Sequence, residues 1–313
     1  MFFYSNNLNK FSSLKKYYLL TIKTEGDINM DFNSYWYLGL GILSILLLIY
    51  VYKKTRSSRS LLLFASMVGL GYLIEAVIYN FAQSYQYYPK LIKHDSFYDS
   101  NMGAIASNAL TLPAIATYIA ILRKNWKITF LFISIIAGVE WAFLKLNIYS
   151  HNWWKIGYTS LGLLVYFPLA KVFHQLLSNP LNGFLHSIFL FLTVSPFSGS
   201  LHILPIMFLS NRYYELCWFN SHSQDTTAFS AIFYIGACLF YVWIAKRHWK
   251  YKWLKYVLTP LLMYTVNVLL QKAGILHSQV WWDPWYYVIL SVVLLKLTVS
   301  ISKHLSSGPP KNA

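Results

Sequence analysis

Two glutamates stand where a charge is expensive. Glu75 and Glu140 each lie inside a stretch of otherwise apolar residues. An ionisable group in such a run is a functional candidate by default, because stripping its water costs kilocalories. His202 and Asn267 lie in comparable runs of the C-terminal part, and Asn108 lies in another. Two carboxylates, an imidazole and amides brought together could bind a cation, relay protons or hold the polar head of a small ligand. The same residues could equally form a hydrogen-bonded network that only locks helices together. No P-loop, G-x-G-x-x-G, HExxH or G-x-S-x-G accompanies them. The nine His show no ligand spacing. No metal and no cofactor is implied.

The elements that must position these groups are set by composition. Hydrophobic residues make up 57% of the 313 residues and charged residues only 12%, against roughly 25% charged in a soluble protein. Too little charge remains to cover a water-facing surface. A transmembrane helix needs about 20 mostly apolar residues, and nine runs qualify: Tyr35–Tyr52, Ser60–Ala82, Ala104–Leu122, Ile128–Tyr149, Ile156–His174, Phe184–Ile206, Ala228–Ala245, Trp253–Ile275 and Trp285–Ser302. The expected fold is all-α, a polytopic transmembrane helical bundle of about nine spans. Strand periodicity is absent, which excludes a β-barrel. The sixth run holds Ser195, Pro196, Ser198, Gly199, Ser200 and Pro205, and is open to being broken or re-entrant.

Charge placement orients the bundle. Of the Lys and Arg, 15 fall on one side of the alternating loops and four (Lys90, Lys93, Lys155, Arg212) on the other. The positive-inside rule puts the C-terminus in the cytoplasm. Net charge of +16 therefore reads as topology, and the bases form short clusters between apolar runs rather than a face for nucleic acid. The expected partner is the lipid bilayer, with a small polar ligand, a cation or a proton as cargo. Lys145, five residues after Glu140, points about 140° away from it on a helix and reads as snorkelling to the boundary. Lys296 either faces the bundle and neutralises a glutamate or reaches outward.

An ordered series of matches points to an internal repeat. Val139-Glu140 through Lys145, His151, Trp153-Trp154 and Tyr158 runs parallel to Val266-Asn267 through Lys272, His277, Trp281-Trp282 and Tyr286. Tyr87-Tyr88 and Asp99 mirror Tyr213-Tyr214 and Asp225 at an offset of 126, and offsets stay between 123 and 128 throughout. Spans two to five thus repeat as spans six to nine in parallel orientation, with the first span extra. On this scheme Glu140 answers to Asn267, and Glu75 to Leu201 beside His202. A site between two pseudo-symmetric halves follows. The organisation reads as a first helix and basic loop over 30–59, four-helix repeats over 60–180 and 181–305, and a cytoplasmic tail over 306–313. Residues 1–29 fit neither a signal peptide nor a span. Glu25-Gly26-Asp27 back-translates to a sequence that can hold AAGGAG shortly before the Met30 codon, so translation is expected to start at Met30.

The segments Tyr87-Tyr88-Pro89-Lys90, Asp99, Gly103, Asn108, Glu140-x-x-Phe143-Leu144-Lys145-Leu146 and Tyr149-x-His151-x-Trp153-Trp154-Lys155-x-x-Tyr158-Thr159 resemble a group of multi-pass membrane proteins of Bacillus-type bacteria. The resemblance covers mainly the second to fifth spans. It implies the plasma membrane of a Gram-positive, spore-forming type of cell and carries no activity. Three functions compete: a transporter-like or ligand-binding protein built around Glu75 and Glu140; a membrane-embedded enzyme acting on a lipid or isoprenoid, with Glu75, Glu140 and His202 as acid/base groups; and an accessory or sensory protein using its outer aromatics. The first fits duplication and buried carboxylates best.

Overall fold

A computed structural model describes residues 30–307, so the expected start at Met30 concerns a segment outside the described residues. Among these residues nine helices follow one another: α1 (Phe32–Thr55), α2 (Ser58–Phe81), α3 (Ser96–Ile121), α4 (Trp126–Lys145), α5 (Ile156–Leu177), α6 (Gly183–Leu209), α7 (His222–Lys246), α8 (Leu254–Lys272) and α9 (Asp283–Ser306). Eight of them are long and apolar enough to cross a membrane, and their outward faces carry residues such as Leu43 and Val165, about two-thirds exposed. A surface this apolar has lipid as its solvent. The protein is an integral membrane protein. The exception is α8, which at 19 residues includes Lys255, Thr259, Asn267, Gln271 and Lys272. The expected count of nine thus reduces to eight by length and hydropathy.

Helix α6 is unbroken, although it contains Pro196 and Pro205. A helical proline frees the carbonyl four residues earlier, and in lipid that oxygen must find another donor. Here both do. Ser195 Oγ donates to the Leu192 carbonyl at 3.2 Å, and Tyr286 OH donates to the Leu201 carbonyl at 2.7 Å. Side chains thereby remove the reason for breaking or re-entry.

Four three-residue strands interrupt the helices: β1 (Tyr85–Tyr87), β2 (Tyr149–His151), β3 (Arg212–Tyr214) and β4 (Leu276–Ser278). They pair antiparallel as β1–β2 and β3–β4, with Tyr85 opposite His151 and Arg212 opposite Ser278. Three residues are too few for alternation to be visible in sequence. The order helix–strand–helix–helix–strand–helix occurs twice, as α2 to α5 with β1 and β2, then as α6 to α9 with β3 and β4. Each position of β3 and β4 lies 127 residues after the same place in β1 and β2, a step that carries Glu75 to His202 rather than to Leu201.

A buried aspartate secures the loop after β1 and another the loop after β3. Asp99 accepts the backbone N–H groups of Lys90, Leu91 and Ile92 at 2.6–2.9 Å. Asp225 accepts those of Leu216, Cys217, Trp218 and Phe219 at 2.7–3.1 Å. A carboxylate with three or four N–H partners holds an irregular loop without regular structure.

The two groups of helices meet along α2 and α6. Ser66 and Thr193, 127 residues apart, share a hydrogen bond at 2.9 Å, and Asn101 of α3 donates to Thr227 of α7 at 3.2 Å. Gly69 lets the backbones touch, since a Cβ there would overlap the Leu192 carbonyl and the Ser195 hydroxyl. Small residues permit such close helix crossings in membranes. Gly69→Val is therefore expected to destabilise by at least the ~1–3 kcal/mol of an overpacked core. Gly138→Ala, whose Cβ meets nothing within 4 Å, should be neutral. Thermal unfolding of the purified protein in detergent, followed by size-exclusion chromatography, distinguishes the two.

Candidate functional site

The first set of helices encloses a cavity of about 200 Å³. It is walled by α1 to α5 and edged by β1 and β2, with Glu75, Tyr85, Tyr87, Asn108, Glu140, Tyr149, Trp154 and Thr159 among its lining residues. Both glutamates named by the sequence face it. Neither is fully partnered.

Glu140 sits on the inward stripe of α4 and is 8% exposed. Its Oε1 is paired with His151 Nε2 at 2.8 Å and accepts from Thr159 Oγ1 at 3.1 Å, while Trp154 Nε1 donates to that threonine at 2.8 Å. Oε2 is buried without a partner. Glu75 accepts from the Tyr85 hydroxyl, and its Oε2 is likewise buried and unpartnered. Lys145 is exposed one helical turn beyond Glu140, and Lys296 is exposed on α9, so neither neutralises a glutamate. An unsatisfied buried carboxylate oxygen is costly. The two residues that carry such oxygens line one cavity, which marks a place suited to a donor.

Local backbone places these groups. Glu75 is the last α-helical residue of α2 before Ala76–Phe81, which winds as a π-helix, and Asn108 lies in a second π segment, Ile105–Thr111 of α3. A π turn inserts a residue and rotates the following side chains, an irregularity concentrated at functional sites. In α6 and α7 the helix is regular throughout. Gly103 of α3 has no Cβ because the Tyr87 side chain occupies that space. Tyr87 then packs against Tyr149 in a tilted pair at 4.8 Å between ring centres, and Tyr85 meets Tyr149 and Trp154 at 5.6 Å each. Burial pushes the phenols of Tyr85, Tyr87 and Tyr149 well above the usual tyrosine range, and Glu75 adds to the shift. They are neutral at any physiological pH.

The expected single polar centre is in fact two. His202 and Asn267 do not face this cavity. They belong to a cluster in the second set of helices, around Arg212, which is buried completely with Asp283. Arg212 donates to both Asp283 oxygens at 2.8 and 2.9 Å, to Asn267 Oδ1 at 2.8 Å and to Tyr214 OH at 3.0 Å. Its guanidinium lies 3.4 Å from the centre of the Tyr287 ring, and His202 bonds to Tyr214 OH at 3.3 Å. Burial works against the guanidinium charge, but the Tyr214, Tyr287 and Asp283 oxygens hold it above its ordinary value. The charge count places Arg212 among the four bases of the less basic side, in a loop between helices. The short β3 strand turns the arginine inward, and α9 begins with the aspartate beneath it.

His151 also escaped the sequence reading. Eleven residues on a continuous helix would leave it about 16 Å along the axis from Glu140, and only β2 folds it back. A second cavity of about 90 Å³ lies where the two sets of helices meet, lined by Glu75, Asn80, Asn101, Asn108, Ser230 and Tyr234. Glu75 and Asn108 line both cavities. Asn80 Oδ1, Ser230 Oγ and Tyr234 OH are buried there without partners.

Compared with protein-family models, curated proteins and solved structures, the chain matches none. The site must be understood from its own atoms.

Satisfied and unsatisfied charge predict opposite behaviour. Asp283→Asn removes the counter-charge of a fully buried guanidinium and is expected to cost about 3–5 kcal/mol. Glu140→Gln keeps an amide oxygen for His151 and Thr159 and should change stability by no more than about 1 kcal/mol. Thermal melts of the two variants in the same detergent check the contrast.

Proposed function

We propose that the protein is a transporter-like, ligand-binding membrane protein, with its ligand held in the cavity that Glu75 and Glu140 share. The single observation that carries this reading is the pair of glutamates lining one cavity, each with a buried carboxylate oxygen that has no partner, while the second set of helices holds an ion pair in its own polar centre. Arg212 and Asp283 are each other's partners, and the two glutamates have no such counter-charge.

The two sets of helices are a tandem duplication in parallel orientation, with α1 added and α8 serving as a ninth span. Support comes from the repeated element order and the constant offset between the strand pairs. The contact of Ser66 with Thr193 adds to it, because residues touch their own counterparts only near a twofold axis. Duplication left one half to bind and the other to brace it. The seam cavity, which shares Glu75 and Asn108 with the main one, offers a route out, and the two π segments are the places where α2 and α3 can rewind. The bias of 15 basic residues against four supports a bacterial plasma membrane protein with a cytoplasmic C-terminus.

Access tests this without knowledge of the ligand. In a Cys217→Ser, Cys238→Ser background, Ser107→Cys in the main cavity and Ser230→Cys in the seam cavity are treated with a small membrane-impermeant methanethiosulfonate. Right-side-out and inverted vesicles present the two faces of the membrane. Labelling of the seam position from both faces, and of the main position from at least one, is the expected result. A main cavity unreachable from either face would overturn the binding reading; labelling of the seam position from one face alone would overturn transport.

A further inference from the structure

The second set of helices contains a picture of what the first one lacks. Around the Arg212 guanidinium stand Tyr214, Asn267 and, through Tyr214, His202. Counted back along the shared strand register, these correspond to Tyr87, Glu140 and Glu75, and all three line the main cavity. Arg212 itself corresponds to Tyr85, which brings no positive charge. Where one half supplies a cation from its own chain, the other has a cavity. Its walls are also more acidic, with two carboxylates in place of an amide and an imidazole.

We propose that this cavity binds the cationic head of a small organic molecule with N–H donors, a guanidinium or primary ammonium group on a short apolar stem. The inference rests on the ligand-site reading above. The unpartnered Oε2 atoms of Glu75 and Glu140 are the acceptors, and charge-assisted hydrogen bonds to carboxylates are the strong ones. No Lys or Arg lines the cavity to compete for them. The ring faces of Tyr85, Tyr87, Tyr149 and Trp154 supply what Tyr287 supplies to Arg212, a negative π surface for a desolvated cation. A bare metal ion would want a full oxygen shell, and most of this lining is aromatic and aliphatic carbon. The volume, about 200 Å³, equals on the order of six or seven water molecules, enough for a small head and a few methylenes.

Three probes of nearly one shape test the charge requirement. Butylguanidinium and butylammonium are cations with N–H donors, and butylurea is the neutral analogue of the first. Binding is read on the full-length protein in detergent, by calorimetry and by the rise in melting temperature that any ligand of the native state produces. Both cations should bind and butylurea should not. Glu140→Gln and Glu75→Gln should each weaken butylguanidinium at least ten-fold. Gly162→Leu, which fills the cavity from α5 without altering charge, should abolish binding, and it keeps the test informative if a glutamate variant fails to fold.

Equal binding of butylurea, unchanged affinity in Glu140→Gln, or no binding of either cation would overturn the proposal. If the last occurs while Ser107→Cys remains accessible, the cation class falls and the ligand site stands; an inaccessible Ser107→Cys removes both. Phosphatidylethanolamine added to the micelles tells the sources apart. Competition with butylguanidinium supports a membrane-borne ammonium, and independence supports a water-soluble one.

Discussion

Lipid offers no hydrogen bonds, so every polar atom buried among these helices has to find its partner within the protein. Most of the architecture answers that demand. Ser195 and Tyr286 occupy the carbonyls that Pro196 and Pro205 set free, and α6 stays whole. Asp99 and Asp225 gather the loose N–H groups of two loops. The Arg212 guanidinium spreads its donors over Asp283, Asn267 and Tyr214. Among the described residues nine buried side chains, Arg59, Glu75, Asn80, Glu140, Asn211, Gln224, Ser230, Tyr234 and Thr259, keep an unused polar atom. Five of them, Glu75, Asn80, Glu140, Ser230 and Tyr234, line one of two adjoining cavities.

The contrast between the halves gives those exceptions meaning. Both halves build the same sequence of elements, and both aim polar side chains inward from equivalent places. In the second, an internal ion pair occupies the centre; the cavity against His202 and Asn267 is only about 20 Å³, and a separate, more open cleft passes Arg212 and Ser210. In the first, the centre is hollow and lined by two acids. A buried ion pair adds little net stability compared with apolar packing, but removing one partner is expensive. Arg212 and Asp283 therefore hold each other in place, while Glu75 and Glu140 remain available. Among the described residues the π turns lie in the hollow half, one directly after Glu75 and one containing Asn108, at the expense of regular helix geometry.

Much of this was legible in the sequence. The apolar runs required membrane helices, because no other element satisfies its own backbone in lipid. Glu75 and Glu140 stood out since a charge in such a run needs a reason, and both turn toward the same cavity. Even the aspartates at 99 and 225 were visible as matching positions, although not as loop anchors. Other features had no sequence signal to give. Three-residue strands are shorter than the period needed to recognise them, and on them ride His151, Tyr85 and Arg212. A basic residue just beyond a helix reads as topology whether it points to water or into the core.

Periodicity and composition by themselves determined that the chain is a bundle of membrane helices, because hydropathy over a helix length is a local property. They also picked out the residues whose burial would be costly. Only the tertiary structure decided which of those residues meet. It sent His202 and Asn267 to the Arg212 cluster and left Glu75 and Glu140 with a cavity. That sorting depends on strand register and on helix rotation across a π turn, where a shift of one residue redirects a side chain entirely. Hydropathy is blind to such a shift, since it changes direction and not composition.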